Sequence, residues 1–193
     1  MRFIGFYDYT VILTYMSLVS AVVGIMLSSQ GRFTAAILCL MFSGLCDCFD
    51  GTVARSKKNR TDDEKAFGIQ IDSLCDAVSF GLFPAFWAYF YGLNGYVGIV
   101  IVAVYSLCAV IRLGFFNVLE GKRQQTEGGS NKFYRGMPVT TIAMLLPLTY
   151  FMGLLLPEEI LTVVLYVLMA VSAFLFVLDF RVKKIQLAVF FKR

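Results

Sequence analysis

The chain has 193 residues, 59% of them hydrophobic and only 16% charged, with a mean hydropathy of +0.75. Soluble domains are about half apolar and a quarter charged, so this composition excludes a secreted disulfide scaffold, a disordered regulator and an ordinary cytosolic enzyme. The 17 Lys and Arg against 13 Asp and Glu are a mildly basic balance, and there is no histidine to act as metal ligand or general base. No basic stripe or zinc spacing points to nucleic acid, and the positive excess suits the anionic headgroups of a lipid bilayer.

A membrane-spanning helix needs about 20 mostly apolar residues, and charge-free runs locate the candidates. The first run, between Asp8 and Arg32, predicts a helix over 9–30. It lacks a basic cluster and a small-residue cleavage site, so it reads as a span and not as a cleavable signal peptide. The second helix, 33–56, starts apolar and runs into Asp47 and Asp50. Residues 77–111 are free of charge, but the turn residues Tyr91-Gly92-Leu93-Asn94-Gly95 divide them into helices over 68–91 and 95–118. Two more runs predict helices over 137–156 and 160–180, separated by Pro157-Glu158-Glu159. The expectation is an all-α integral membrane protein of six transmembrane helices, with residues 1–193 forming a single transmembrane catalytic domain. Cys46 and Cys48 form C-x-C, not a zinc or redox pair, and Cys39, Cys46, Cys75 and Cys108 read as small hydrophobes in apolar stretches.

Orientation follows from the basic residues. Six spans put both termini on one side, and 15 of the 17 Lys and Arg fall there, in the termini and in the second and fourth loops. Arg32 lies opposite and Arg112 lies within a span. Positive charge marks the cytoplasmic side, so both termini and the two long loops are predicted to be cytoplasmic, in a multi-pass protein of the cell membrane.

The chemistry concentrates in four acids. Asp47 and Asp50 sit three apart late in the second span, and Asp72 and Asp76 sit four apart early in the third. Those spacings put each pair on one helix face. The helices are antiparallel neighbours, so the pairs can meet near the cytoplasmic end. Four carboxylates there cannot stay close, ionised and unpaired, because desolvation and repulsion are too costly. Hard divalent cations bound through oxygen, Mg²⁺ or Mn²⁺, are the natural neutralisers, and four charges balance two such ions. Gly51, Ala54 and Gly68 lie beside the acids and let a ligand approach the backbone, although small residues there also serve helix packing. Arg55 supplies a fork suited to a phosphate or diphosphate. Together these features suggest phosphoryl-type transfer; a divalent-cation transporter is a rival, but it should carry polar residues through the membrane depth.

The residues spell Asp47-x-x-Asp50-Gly51-x-x-Ala54-Arg55, then Gly68-x-x-x-Asp72-x-x-x-Asp76. This resembles the signature of the CDP-alcohol phosphatidyltransferase family at every position. The stretch between Arg55 and Gly68 is longer than in many members, and its extra residues, Thr61 to Lys65, are polar. Three further segments resemble the phosphatidylserine synthase branch. They are Asp72-Ser73-Leu74-Cys75-Asp76-Ala77-Val78-Ser79-Phe80-Gly81 with Pro84-Ala85, Arg112-Leu113-Gly114-Phe115-Phe116-Asn117, and Phe133-x-Arg135-Gly136-Met137-Pro138. Phe115 stands where that branch commonly has an arginine.

The resemblance implies a six-helix fold over essentially the whole chain and a homodimer. It implies CDP-diacylglycerol as donor, L-serine as acceptor and CMP as product. Asp47, Asp50, Asp72 and Asp76 would share two divalent cations, with Asp76 also the candidate general base. Gly51, Ala54, Arg55 and Gly68 would hold the CDP moiety. Arg112, Asn117 and Arg135 are the candidates for the serine site; an intramembrane arginine is a functional candidate by default, while a structural pairing of Arg112 and a topology role for Arg135 are the alternatives. The same chemistry with glycerol 3-phosphate or an inositol phosphate as acceptor is the closest rival, and those acceptors should need more than one cation in the pocket.

Overall fold

A computed structural model describes residues 5–7, 9, 11–56, 61–125 and 133–183. Helices α1 (Ile12–Ser29) and α2 (Phe33–Ser56) form a hairpin. Helix α3 (Asp62–Asp76) passes through a π-helical turn, Ala77–Leu82, into α4 (Phe83–Tyr91). Helix α5 (Tyr96–Gln125) is followed by strand β1 (Phe133–Arg135), a 3₁₀ turn (Val139–Thr141) and α6 (Ile142–Gly153). Helix α7 (Glu158–Val177) leads to strand β2 (Arg181–Lys183). Five stretches among the described residues are long and apolar enough to cross a membrane: Ile12–Ser29, Phe33–Gly51, Asp62–Tyr91, Tyr96–Gly121 and Glu158–Val177. The sixth expected segment is the shorter apolar helix Val139–Gly153. Its start is set by Pro138 in extended geometry, and Pro147 interrupts its interior.

Two boundaries differ from the expectation by six residues or more. Helix α3 begins at Asp62, not at residue 68, because Thr61 and Glu64 form a capping box. The Glu64 amide donates to Thr61 Oγ1 at 3.2 Å and the Thr61 amide donates to Glu64 Oε2 at 2.9 Å. Asp62, Asp63 and Glu64 add negative charge at the positive end of the helix dipole. Helix α5 continues to Gln125, past the expected 118, as a polar extension beyond its apolar stretch.

The packing is that of helices in lipid. Helix α1 buries Thr14, Ser17, Ala21, Gly24 and Ser28, while Val19, Val22, Val23 and Met26 are exposed. Apolar tails outside remove the drive to bury large side chains, so small residues form the contact and let backbones come close. A Cβ on Gly44 of α2 would lie 2.7 Å from the Ala143 Cβ of α6, which leaves room for hydrogen only. Hydroxyls join the same seam. Ser43 Oγ donates to the Ser17 carbonyl at 3.0 Å, and Ser17 Oγ donates to Ser79 Oγ at 3.3 Å. At the start of α2, Trp87 stacks on Tyr91 and meets Tyr150 edge-on, and its Nε1 donates to the Phe33 carbonyl at 3.2 Å. Trp87 and Tyr150 are buried in the bundle, so these rings pack the helix ends against one another. The acids occupy the other end of α2.

The antiparallel ribbon β1–β2 was not anticipated. It pairs Phe133 with Lys183 and Arg135 with Arg181, tying the α5–α6 connection to the end of α7. Gly136 closes it at φ +69°, with its amide donating to the Phe180 carbonyl at 2.7 Å.

Candidate active site

Helices α2 and α3 bring together acids that are 22 or more positions apart in sequence. One carboxylate oxygen from each of Asp47, Asp50 and Asp72 lies within 4.8 Å of the others. All three side chains are half-buried. Thr14 Oγ1 of α1 donates to Asp50 Oδ2 at 3.4 Å, so a third helix braces the group. Asp72 Oδ1 is buried with no hydrogen-bond partner. A buried oxygen lacking a donor is costly, and three converging carboxylates repel one another. An all-oxygen donor set of this charge, with one oxygen orphaned, fits a hard divalent cation. Asp76, one helical turn beyond Asp72, lies outside the three-oxygen group and is 9% exposed.

The other predicted residues fall in several places. Gly51 directly follows Asp50 on α2, and Gly68 lies one turn before Asp72 on α3; both are half-buried. The backbone of Ala54 and Arg55 belongs to α2. The side chains of Ala54, Arg55 and Arg135 lie outside the described residues, as do Lys57, Lys58 and Arg60. Asn117 Oδ1 accepts from Ser73 Oγ at 2.6 Å, which joins α5 to the acid-bearing turn of α3. Arg112 comes five positions earlier, about 140° around the helix from Asn117. It is 7% exposed, its Nε donates to the Met137 carbonyl at 3.2 Å, and its guanidinium carbon stands 5.6 Å from the Phe116 ring centroid. It lines a cavity of about 330 Å³ together with Phe115, Gly136, Phe176 and Asp179. Asn117 and Arg112 therefore face different neighbours.

Three contributors escaped sequence inspection. Thr14 belongs to the buried small-residue stripe of α1, whose spacing of three and four residues was visible in the sequence. Ser73 sits inside the acidic motif but carries no charge to mark it. Tyr105 is fully buried and donates to the Phe80 carbonyl at 2.7 Å, a long-range contact with no local signal.

The sequence profile of the CDP-alcohol phosphatidyltransferases matches residues 9–188. The chain belongs to this family. It is a multi-pass membrane protein of a family that uses divalent metals, and its acidic cluster gathers the oxygen donors. An archaetidylserine synthase from Methanothermobacter thermautotrophicus is 34% identical over 143 residues, 74% of this chain and 57% of the relative. A CDP-diacylglycerol–serine O-phosphatidyltransferase from Helicobacter pylori is 32% identical over 137 residues, 70% of this chain and 54% of the relative. One of the same name from Saccharomyces cerevisiae is 36% identical over 110 residues, 55% of this chain and 38% of the relative. The chain thus spans about half the length of the curated relatives it matches.

Proposed function

We propose that this protein transfers a phosphatidyl group from CDP-diacylglycerol to L-serine, giving phosphatidylserine and CMP. The observation that carries the chemistry is the meeting of Asp47, Asp50 and Asp72 within 4.8 Å, with a buried Asp72 oxygen that no donor satisfies. The choice of serine rests on relatives that bear serine-transferase names. Asp47, Asp50 and Asp72 would hold divalent cations, with Asp76 completing the set for two ions, Mn²⁺ or Mg²⁺. When bound, such ions offset the charge of the diphosphate and of the departing CMP. Gly51, Ala54 and Gly68 leave space for the cytidine against α2 and α3, and Arg55 pairs with the diphosphate. Asp76 takes the serine hydroxyl proton as that oxygen forms its bond to the lipid-side phosphorus. The bond from phosphorus to the CMP oxygen breaks, and its electron pair leaves with CMP. Burial of Asp76 keeps bulk water from competing for the same step. Asn117, placed by Ser73 beside the acidic turn, orients the acceptor, and Arg112 and Arg135 supply cations for its carboxylate.

In this reading the short helix Val139–Gly153 completes six crossings of the cell membrane. Both termini and the acidic site face the cytoplasm, residues 1–193 act as one catalytic domain, and two copies form the dimer.

The test uses purified protein in detergent with CDP-diacylglycerol and Mn²⁺ or Mg²⁺. L-serine, glycerol 3-phosphate and an inositol phosphate are supplied separately, and CMP release and product mass are followed. Metal-dependent CMP release with serine alone, giving phosphatidylserine, is the expected result. Release only with a phosphorylated acceptor keeps the metal site and overturns the serine assignment. Asp76→Asn should lower turnover by about 10²–10⁴-fold, the usual worth of a general base; a folded variant that retains turnover removes Asp76 from that role.

A further inference from the structure

The helix that carries Asp72 and Asp76 does not continue as an α-helix. Directly after Asp76 the chain makes a π-helical turn over Ala77–Leu82, closed by the Phe83 amide donating to the Val78 carbonyl, five residues back. Pro84 accounts for part of it. In an α-helix the amide of residue 84 would bond the Phe80 carbonyl, and proline has no N–H. The Phe80 carbonyl instead accepts from Tyr105 Oη of α5 at 2.7 Å. Tyr105 and Phe80 are both fully buried, so no water substitutes. Ser79, in the same turn, accepts from Ser17 of α1 at 3.3 Å.

The extra residue of a π turn rotates one side of a helix against the other by about 100°. In an unbroken α-helix Asp76 and Phe83, seven positions apart, would share a face. Phe83 is committed to α1: its ring fills the space that a Cβ on Gly24 would need. The π turn lets Phe83 keep that contact while Asp72 and Asp76 point elsewhere, with Asp72 toward Asp47 and Asp50.

We propose that Tyr105 is a positioning residue for the acidic site: by holding the Phe80 carbonyl it locks the π turn and so sets the direction in which Asp72 and Asp76 face. This rests on the reading of the acids as a cation site. Tyr105 touches none of the four acids in any contact described above; it acts through the backbone of the segment that follows them.

The experiment measures Mn²⁺ binding to the purified full chain in detergent, from the electron paramagnetic resonance signal of free Mn²⁺, with no lipid or acceptor present. Tyr105→Phe keeps the ring, which packs 5.4 Å from the Phe176 ring centroid, and removes only the hydroxyl. Its Kd for Mn²⁺ should rise about tenfold, the scale of a lost outer-shell support. Tyr150→Phe is the control. It also removes one hydroxyl contact of 2.7 Å, to Thr34, but at the far end of α2, about 20 Å along the helix from Asp47. Its Kd should stay within about twofold of the parent. An unchanged Kd in Tyr105→Phe, or an equal rise in both variants, overturns the proposal. If Tyr105→Phe fails to fold, the double variant Tyr105→Phe with Pro84→Ala decides by the same measurement, since the restored amide of residue 84 can satisfy the Phe80 carbonyl without the hydroxyl; a rise supports the proposal and no change overturns it. Absence of Mn²⁺ binding by the parent protein would remove the cation site and the proposal together, whereas binding that ignores both substitutions would remove Tyr105 alone.

Discussion

Asp72→Asn separates a cation site from a structural polar cluster by its effect on stability with and without metal. Three carboxylate oxygens lie within 4.8 Å of one another, and at that distance one pair of unit charges repels by about 3.5 kcal/mol at an effective dielectric of 20. Asp72 faces two such neighbours. Side-chain relaxation, solvent at the membrane surface and proton uptake by the crowded carboxylates relieve most of this, so the metal-free variant should gain about 1–2 kcal/mol. For a chain of this size that is a rise in Tm of about 2–8 °C. With Mn²⁺ at about a hundred times its Kd the parent gains about 2.7 kcal/mol from binding, and the variant, with a weakened site, gains far less. The order of stability should therefore invert between chelator and saturating Mn²⁺. Thermal melts of the two purified proteins in the same detergent, under both conditions, provide the assay. A variant less stable than its parent in both conditions would refute the reasoning, because Asp72 would then be holding the fold through its own bonds.

Arg112→Ala should raise the KM for serine about tenfold, the worth of a charged hydrogen bond, with a much smaller change for CDP-diacylglycerol. An equal rise in both, with a lowered Tm, would identify Arg112 as support for the Met137 backbone that its Nε already holds. Gly136→Ala should cost about 1–2 kcal/mol, because an alanine at φ +69° meets its own carbonyl and the new Cβ would lie 3.0 Å from the Leu178 carbonyl oxygen. A melt with unchanged Tm would show that the β1–β2 ribbon adapts.

Much of the site was legible because its signal is local. Asp47 and Asp50, and Asp72 and Asp76, each repeat at helical spacing, and charge is conspicuous in a segment that is otherwise apolar. The start of α3 was not read from charge-free runs, because the capping box Thr61-x-x-Glu64 lies in a polar stretch ahead of the apolar span. The β1–β2 ribbon was not legible, since three-residue strands leave no periodicity to detect. Nor was the split between Arg112 and Asn117: both lie in one motif-like segment, and only the direction of each side chain assigns Arg112 to Met137 and Asn117 to Ser73.

Composition and spacing alone determined that this is a helical membrane protein with an oxygen-rich acidic centre at one end of its second and third spans, because lipid demands apolar length and charge in such spans needs a partner. Tertiary structure decided how the acids are aimed. Asp72 meets Asp47 and Asp50 within 4.8 Å with Asp76 one helical turn beyond, and a π turn held by Tyr105 separates the acidic face from the Phe83 face. That choice depends on a hydroxyl 25 positions from the carbonyl it holds, and no local pattern encodes a contact between helices.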